Sequence, residues 1–250
     1  MFTVDERDRV RDRILALARA DRRIVAGAMI GSAAFGPGDR WSDLDLGFGV
    51  ADGVSVAEVL VDWTAGLERE WGAVHLFDLQ AGAATYRVFL FPGALQVDLS
   101  FAPAAQFGSR GPKFKLLFGT AVEHPRTEPL PVRHLLGLGV HHAVRARFCI
   151  ARGRLWQAQH WIGEMREIGL TLACRRLGLE TAQGRGYDDL PAEAANPFEE
   201  ALVRSLEPVE LLRALGAAID GLLREAGDGR ELALRVEAQL QALTSADFEG

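Results

Sequence analysis

The run Ser42-Asp43-Leu44-Asp45-Leu46 constrains this chain more than any other feature. Acidic and apolar residues alternate in it, and a period of two marks a strand with one wet and one buried face. Leu44 and Leu46 then enter a core, while Asp43 and Asp45 leave together from the opposite face. Two carboxylates side by side repel each other. A hard divalent cation gives them a reason to coexist, because Mg2+ takes oxygen ligands and is held by a few carboxylates together with substrate phosphates. A third carboxylate, Asp98, interrupts the apolar run Leu95-Gln96-Val97-Asp98-Leu99-Ser100-Phe101. A lone aspartate in a largely buried strand is costly unless it is paired or bound to metal. Asp43, Asp45 and Asp98 are therefore the candidate metal ligands and catalytic carboxylates.

Periodicity around this run sets the architecture. Apolar residues at helical spacing predict a helix over 4–20. Strand-like runs follow at 23–30 and 44–50, then a helix over 55–70 with Ser55 and Glu58 at capping-box spacing. Further strands are expected at 73–79, 85–91 and 95–101, with Pro92-Gly93 as the turn of a hairpin. A connector spotted with proline and glycine, including Lys113-Phe114-Lys115-Leu116-Leu117-Phe118, runs on to about 131. Beyond it the pattern predicts helices over 132–151, 155–177, 197–206, 208–226 and 230–243, with Gly153, Gly178 and Gly227-Asp228-Gly229 as breakers. The expected fold class is α/β (α+β): an N-terminal domain over 1–125 with a mixed, mostly antiparallel sheet, then a helical bundle over 126–250.

Composition excludes several functions. No stretch approaches the apolar length of a membrane span. The charged N-terminus lacks the apolar core of a signal peptide, so a cytoplasmic protein is expected. Net charge is −6, from 28 basic and 34 acidic residues. Residues 1–125 hold thirteen basic against sixteen acidic residues, which leaves fifteen against eighteen for 126–250. Neither half is the basic surface that long nucleic acids require. Two cysteines, Cys149 and Cys174, are too few for a disulfide framework and sit among apolar neighbours, as buried thiols do.

The turn before the aspartates adds a second element. Gly31-Ser32 directly follows a strand, and a glycine there lets a ligand approach the backbone closely, where N–H groups suit phosphate. The hydroxyls of Ser32 and Ser42 can add donors. Gly31-Ser32, ten intervening residues, Asp43-Leu44-Asp45-Leu46 and Asp98 on a later strand together resemble the signature of the DNA polymerase β-type nucleotidyltransferases. Among these the chain resembles the aminoglycoside and lincosamide nucleotidyltransferases, which act on small molecules. The resemblance covers about residues 23–101. It implies that the N-terminal domain is the nucleotidyltransferase domain and the helical bundle its acceptor side. It implies two Mg2+ ions on Asp43 and Asp45, with Asp98 on the catalytic ion alone. It also implies Gly31, Ser32 and Ser42 on the phosphates of an NTP, ATP foremost. The activity implied is transfer of a nucleoside monophosphate to a hydroxyl of a small molecule such as an aminoglycoside- or lincosamide-like antibiotic. Relatives often carry an arginine shortly after the Gly-Ser pair; this chain has Ala34-Phe35-Gly36, so Arg40 or a lysine would have to grip the triphosphate.

Other residues keep two readings open. Lys113 and Lys115, the only lysines in the chain, would suit a triphosphate as mobile charges, and would equally serve as exposed loop residues. His160, Glu164, Glu167 and Thr171 share a helix face. Glu164 or Glu167 could take the acceptor hydroxyl's proton, or the face could simply carry solvated salt bridges. A metal role for His141-His142 fails on geometry, since adjacent helical residues do not share a face. Two alternatives to a small-molecule enzyme stand beside it: an antitoxin-type nucleotidyltransferase that adenylylates a protein, and a non-catalytic nucleotide-binding sensor.

Overall fold

The computed structural model describes residues 1–31, 34, 40–109, 111, 113–125 and 128–245. They fall into two compact units, Met1–Thr127 and Glu128–Gly250. The first runs α1 (Val4–Ala20), β1 (Ile24–Ile30), β2 (Leu44–Val50), α2 (Val56–Trp71), β3 (Val74–Ala81), β4 (Ala84–Phe91) and β5 (Leu95–Pro103). It continues with the short β6 (Gly108–Ser109), β7 (Phe114–Phe118) and β8 (Val122–Glu123). A six-stranded sheet has the order β3-β4-β5-β2-β1-β7, and β6 and β8 form a two-stranded ribbon. Within the large sheet only β2 and β5 run parallel; every other neighbour pair is antiparallel.

The helices start where their caps are. Thr3 and Glu6 form a reciprocal capping box at the head of α1, which satisfies two backbone N–H groups that the first turn leaves without partners. Ser55 accepts from the Glu58 N–H to start α2, and Gly72 in the left-handed region (φ 64°) ends it. Both helices cover one face of the sheet. Ile14, Ala18, Val59, Leu60, Trp63 and Leu67 bury that face together with Leu44, Leu46, Phe48 and Val50 of β2 and Val97, Leu99 and Phe101 of β5. Phe48, Trp63 and Phe101 form a triangle with ring centroids 5.2–5.4 Å apart. Such tilted and edge-on pairs add roughly 0.5–1.5 kcal/mol each beyond area burial.

Trp63 brings a polar indole N–H into this core, and Asp21 at the end of α1 accepts it at 3.0 Å. The guanidinium of Arg23 pairs with the same carboxylate at 2.9 Å.

The second unit is helical: α3 (Val132–Ala151), α4 (Leu155–Arg176), α5 (Ala192–Glu200), α6 (Pro208–Arg224) and α7 (Arg230–Ala242). Cys149 and Cys174 are buried free thiols within it. Among the described residues no helix is long and apolar enough to cross a membrane.

Two elements depart from the periodicity reading. The stretch 114–118, left in a connector, is strand β7 and pairs with β1 at the sheet edge. The helix expected over 197–206 lies at Ala192–Glu200, so Pro197 is inside it rather than at its start. Packing decides this register. Ala194 and Phe198, four apart, face the core, and the Phe198 ring fills the space that a Cβ on Gly169 or Gly221 would enter. That contact outweighs the preference of proline for a first turn.

Asp21 generates a pH prediction. The Arg23 guanidinium, opposed by partial burial and helped by the Trp63 N–H, holds its carboxyl down to about 2, against an ordinary value of 3.8. A depressed folded-state pKa stabilises fully above the ordinary value, and this contribution is lost as pH falls through 3.8 towards about 2. Asp21→Asn should therefore melt lower than wild type at neutral pH, with the gap closing as pH falls from about 5 to about 2.5. Thermal melts across that range check it.

Candidate active site

Over β1, β2 and β5 the face of the sheet opposite α1 and α2 carries a patch of small residues. Ala26 and Ala28 of β1, Gly47 and Gly49 of β2 and Ser100 and Ala102 of β5 lie side by side through the strand register. Phe107 packs over them. A Cβ on Gly47 would come within 2.8 Å of Ile30 Cδ1 and 3.0 Å of Ser100 Oγ, and one on Gly49 within 3.1 Å of the Ala26 Cβ. On this face, at the entry of β2, stand the three aspartates.

Register brings them together. In the parallel β2–β5 pair Asp45 is directly opposite Asp98, and Leu44 and Leu46 are opposite Val97 and Leu99. Asp43 precedes Asp45 by two residues on the same side. One carboxylate oxygen from each of the three lies within 4.8 Å of the others, and all three side chains are partly exposed. Among the described residues this is the single group of three acidic, histidine or cysteine side chains so arranged. Its electrostatics are those of crowded like charges. Burial first, and then the neighbouring charge of Asp43, push the Asp98 carboxyl above its ordinary range, although the amide of Gln96 pulls the other way. The Gln96 Nε2 donates to both oxygens of Asp98, at 3.1 and 3.2 Å.

Two more residues shape the cluster. Gly31 ends β1 with φ +72°, and a Cβ there would sit 2.2 Å from Asp45 Oδ2. The turn thus lies directly against the carboxylate, and only glycine leaves it room. The Gly31 N–H is donated to the Lys113 carbonyl at 3.1 Å, so the contribution of Gly31 is space rather than a donor. Beneath the segment that leads into Asp43 lies Arg7 of α1, 2% exposed, whose Nη1 donates to the Ser42 carbonyl at 3.4 Å. A cavity of about 260 Å3 opens beside Asp43, lined by Phe2, Trp41, Ser42, Asp43, Ala94 and Gln96. Trp41 is largely exposed, and the Arg40 guanidinium lies 4.3 Å over its ring.

The sequence matches no protein-family profile and no curated protein. Solved structures do match. An aminoglycoside 6-adenyltransferase from Bacillus subtilis aligns over 98% of this chain and 100% of its own, at 12% identity and a TM-score of 0.40. The site is therefore read from its own geometry.

That geometry sorts the expected residues. Asp43, Asp45 and Asp98 converge, with Gly31 against them and Ser42 next in sequence. Ser32 lies outside the described residues. Lys113 reaches the turn through its backbone carbonyl. Lys115 pairs with Met29, which pairs in turn with Leu46, so the register puts it on the sheet face opposite that of Asp45. Glu164 and Glu167 belong to the helical unit, where they line a cavity of about 760 Å3 with Thr171, Tyr187 and Asp188. The Tyr187 hydroxyl sits 3.0 Å from Thr171 Oγ1 and donates to the Glu167 carbonyl at 3.2 Å. His141 and His142 pack against Trp161 and join no ligand cluster.

Arg7 and Gln96 were not singled out from the sequence. Arg7 carried a readable signal, because it falls three residues before Val10 and seven before Ile14, on the apolar stripe of α1, where a charge needs a partner.

Gly31→Ala combines left-handed strain with a clash against Asp45. It should destabilise the fold by about 1–3 kcal/mol. In an Asp45→Ala background the clash is gone and a smaller loss should remain. Urea unfolding of the four proteins in this cycle measures the difference; equal losses in both backgrounds would show that the turn does not press on the carboxylate.

Proposed function

We propose that the chain is a Mg2+-dependent nucleotidyltransferase. It would transfer a nucleoside monophosphate, AMP by preference, from an NTP to a hydroxyl of a small molecule such as an aminoglycoside- or lincosamide-like antibiotic. The observation that carries this reading is the convergence of Asp43, Asp45 and Asp98 within 4.8 Å on a sheet face with a patch of small residues, with the Gly31 turn against Asp45.

The donor set fits the metal. Three carboxylate oxygens at this spacing are hard ligands for a hard cation. Burial, and to a lesser degree the charge of Asp43, raise the Asp98 carboxyl, and a bound cation favours the ionised form against both. Asp43, Asp45 and Asp98 would hold the magnesium, two ions in the reading adopted here. When bound, magnesium neutralises charge on the transferring phosphate and lowers the pKa of the acceptor hydroxyl. The protein's own part is placement. Gln96 fixes the rotamer of Asp98, Arg7 supports the segment that carries Asp43, and Gly31 leaves space beside Asp45.

In the transfer itself the acceptor oxygen bonds to the α-phosphorus, the α–β phosphoanhydride bond breaks and pyrophosphate leaves. The acceptor's proton needs a base. Glu164 and Glu167 are proposed for that role, supported by their place on a cavity wall that also carries Asp188 and the hydroxyls of Thr171 and Tyr187. An acidic, hydroxyl-lined cavity suits a polar acceptor that carries positive charge.

Pyrophosphate release, measured with ATP, GTP, CTP and UTP against a panel of hydroxyl-bearing acceptors, tests the reading. Asp45→Asn and Asp98→Asn should each lower turnover by at least ~10²-fold, on the scale of losing one preorganised electrostatic group in other enzymes. Wild-type turnover in Asp45→Asn would overturn it.

A further inference from the structure

One edge of the large sheet is left open. Strand β3 is terminal in the order β3-β4-β5-β2-β1-β7, and among the described residues it pairs with β4 alone. Natural sheets blunt such an edge with lysine, proline or covering chain, because its free N–H and C=O groups can template another strand. The sequence of β3, Val-His-Leu-Phe-Asp-Leu-Gln-Ala, contains no lysine, arginine or proline.

The edge is also apolar on one face. Phe77 pairs with Val88 and Leu79 with Tyr86, while Val74 pairs with Leu90. Their partners Val88, Tyr86 and Leu90 lie opposite Asp98, Ser100 and Gln96, so this set shares the face that carries the aspartates. Val74 is 55% exposed, Phe77 49%, Leu79 57% and Leu90 41%. A contiguous apolar patch of this kind on a surface strand marks an interaction site.

We propose that β3 is the self-association edge of this protein: two copies pair antiparallel along β3 about a two-fold axis through Leu79, joining their sheets. The occupant follows from charge and register. A two-fold axis normal to the sheet keeps each side chain on its own face, so a strand pairs with its twin only in registers that match like faces. An irregularity between His75 and Phe77 ends the straight pairing stretch there and leaves Phe77–Ala81. Centring on Asp78 would set two carboxylates opposite each other, which is repulsive. Centring on Gln80 takes Phe77 out of the pairing. Centring on Leu79 puts Leu79 against its twin, Phe77 against Ala81 and Asp78 against Gln80, whose amide can donate to the carboxylate. The one formal charge on the edge is already balanced within its own copy. The Arg87 guanidinium donates to Asp78 at 2.6 Å, and His75 Nε2 lies 3.0 Å from the other oxygen. A second copy therefore brings apolar surface to apolar surface and no uncompensated charge. A partner of strong charge would find nothing on this edge to recognise.

Sedimentation velocity on the full-length protein, from about 1 to about 100 µM, tests this, with Leu79→Lys and Leu79→Cys beside wild type. The expected result is a concentration-dependent shift from 27.2 kDa to twice that mass in wild type, and its loss in Leu79→Lys with an unchanged melting temperature. Directly opposed Cβ atoms on antiparallel strands lie within disulfide reach. Leu79→Cys should thus form a covalent dimer under mild oxidation, at least tenfold faster than Val209→Cys, a control at an exposed site on α6. A wild type that stays at 27.2 kDa throughout, a dimer that survives Leu79→Lys, or equal cross-linking at Leu79 and Val209 would each overturn the proposal.

Discussion

Asp45 and Asp98 stand directly opposite each other on the one parallel strand pair of the sheet, and Asp43 crowds them from one side. Like charges placed opposite on a sheet destabilise it; the Asp98 carboxyl is raised first by its burial and further by the charge of Asp43. The surroundings hold the arrangement in place. Leu44 and Leu46, which alternate with the aspartates, are 1% and 0% exposed, so β2 cannot slip by one residue without exposing its core side. A slip would also turn Asp43 and Asp45 into that core. The hydrophobic packing that builds the sheet thereby fixes the carboxylates against their own repulsion.

The two faces of the sheet divide the labour. Beneath it, α1 and α2 seal an aromatic and aliphatic core, anchored at one corner by the Asp21, Arg23 and Trp63 contacts. Above it, the glycines and alanines keep the surface low, so that Phe107 lies close. Helix α1 serves both sides. Its Ile14 and Ala18 enter the core, while Arg7, two and three turns earlier on the same stripe, supports the backbone that delivers Asp43. A site that needs crowded charge is thus held by residues from α1, β1, β2 and β5 whose positions are set by burial.

Much of this was legible in the sequence, for a physical reason. Alternation in Asp43-Leu44-Asp45-Leu46 exposes the strand and its facing, and a lone carboxylate within an apolar run identifies Asp98, because burial makes both patterns expensive to produce by chance. Facing is local information; register is not. That Asp45 pairs with Asp98, that Gly31 presses on Asp45 and that Gln96 holds Asp98 depend on which strands become neighbours. Lys115 shows the limit clearly, since proximity in sequence to a phosphate-binding role says nothing about which sheet face the residue takes. Strand β7 was hidden because Lys115 breaks its short apolar run on an edge strand. The position of α5 was hidden because the slot for Phe198 is built by Gly169 and Gly221, distant in sequence.

The central claim is that the three aspartates form one cation-dependent nucleotide site. Thermal unfolding of wild type and Asp45→Asn, each with ATP, with Mg2+ and with both, tests it most directly. A ligand at a hundred times its Kd stabilises the folded state by about 2.7 kcal/mol. The account predicts a clear rise in Tm for wild type only when ATP and Mg2+ are present together. It further predicts an Asp45→Asn protein that is no less stable than wild type without ligand, because a like charge has been removed, and that shows no rise with both. A rise of equal size in the two proteins, or one that does not need Mg2+, would contradict it.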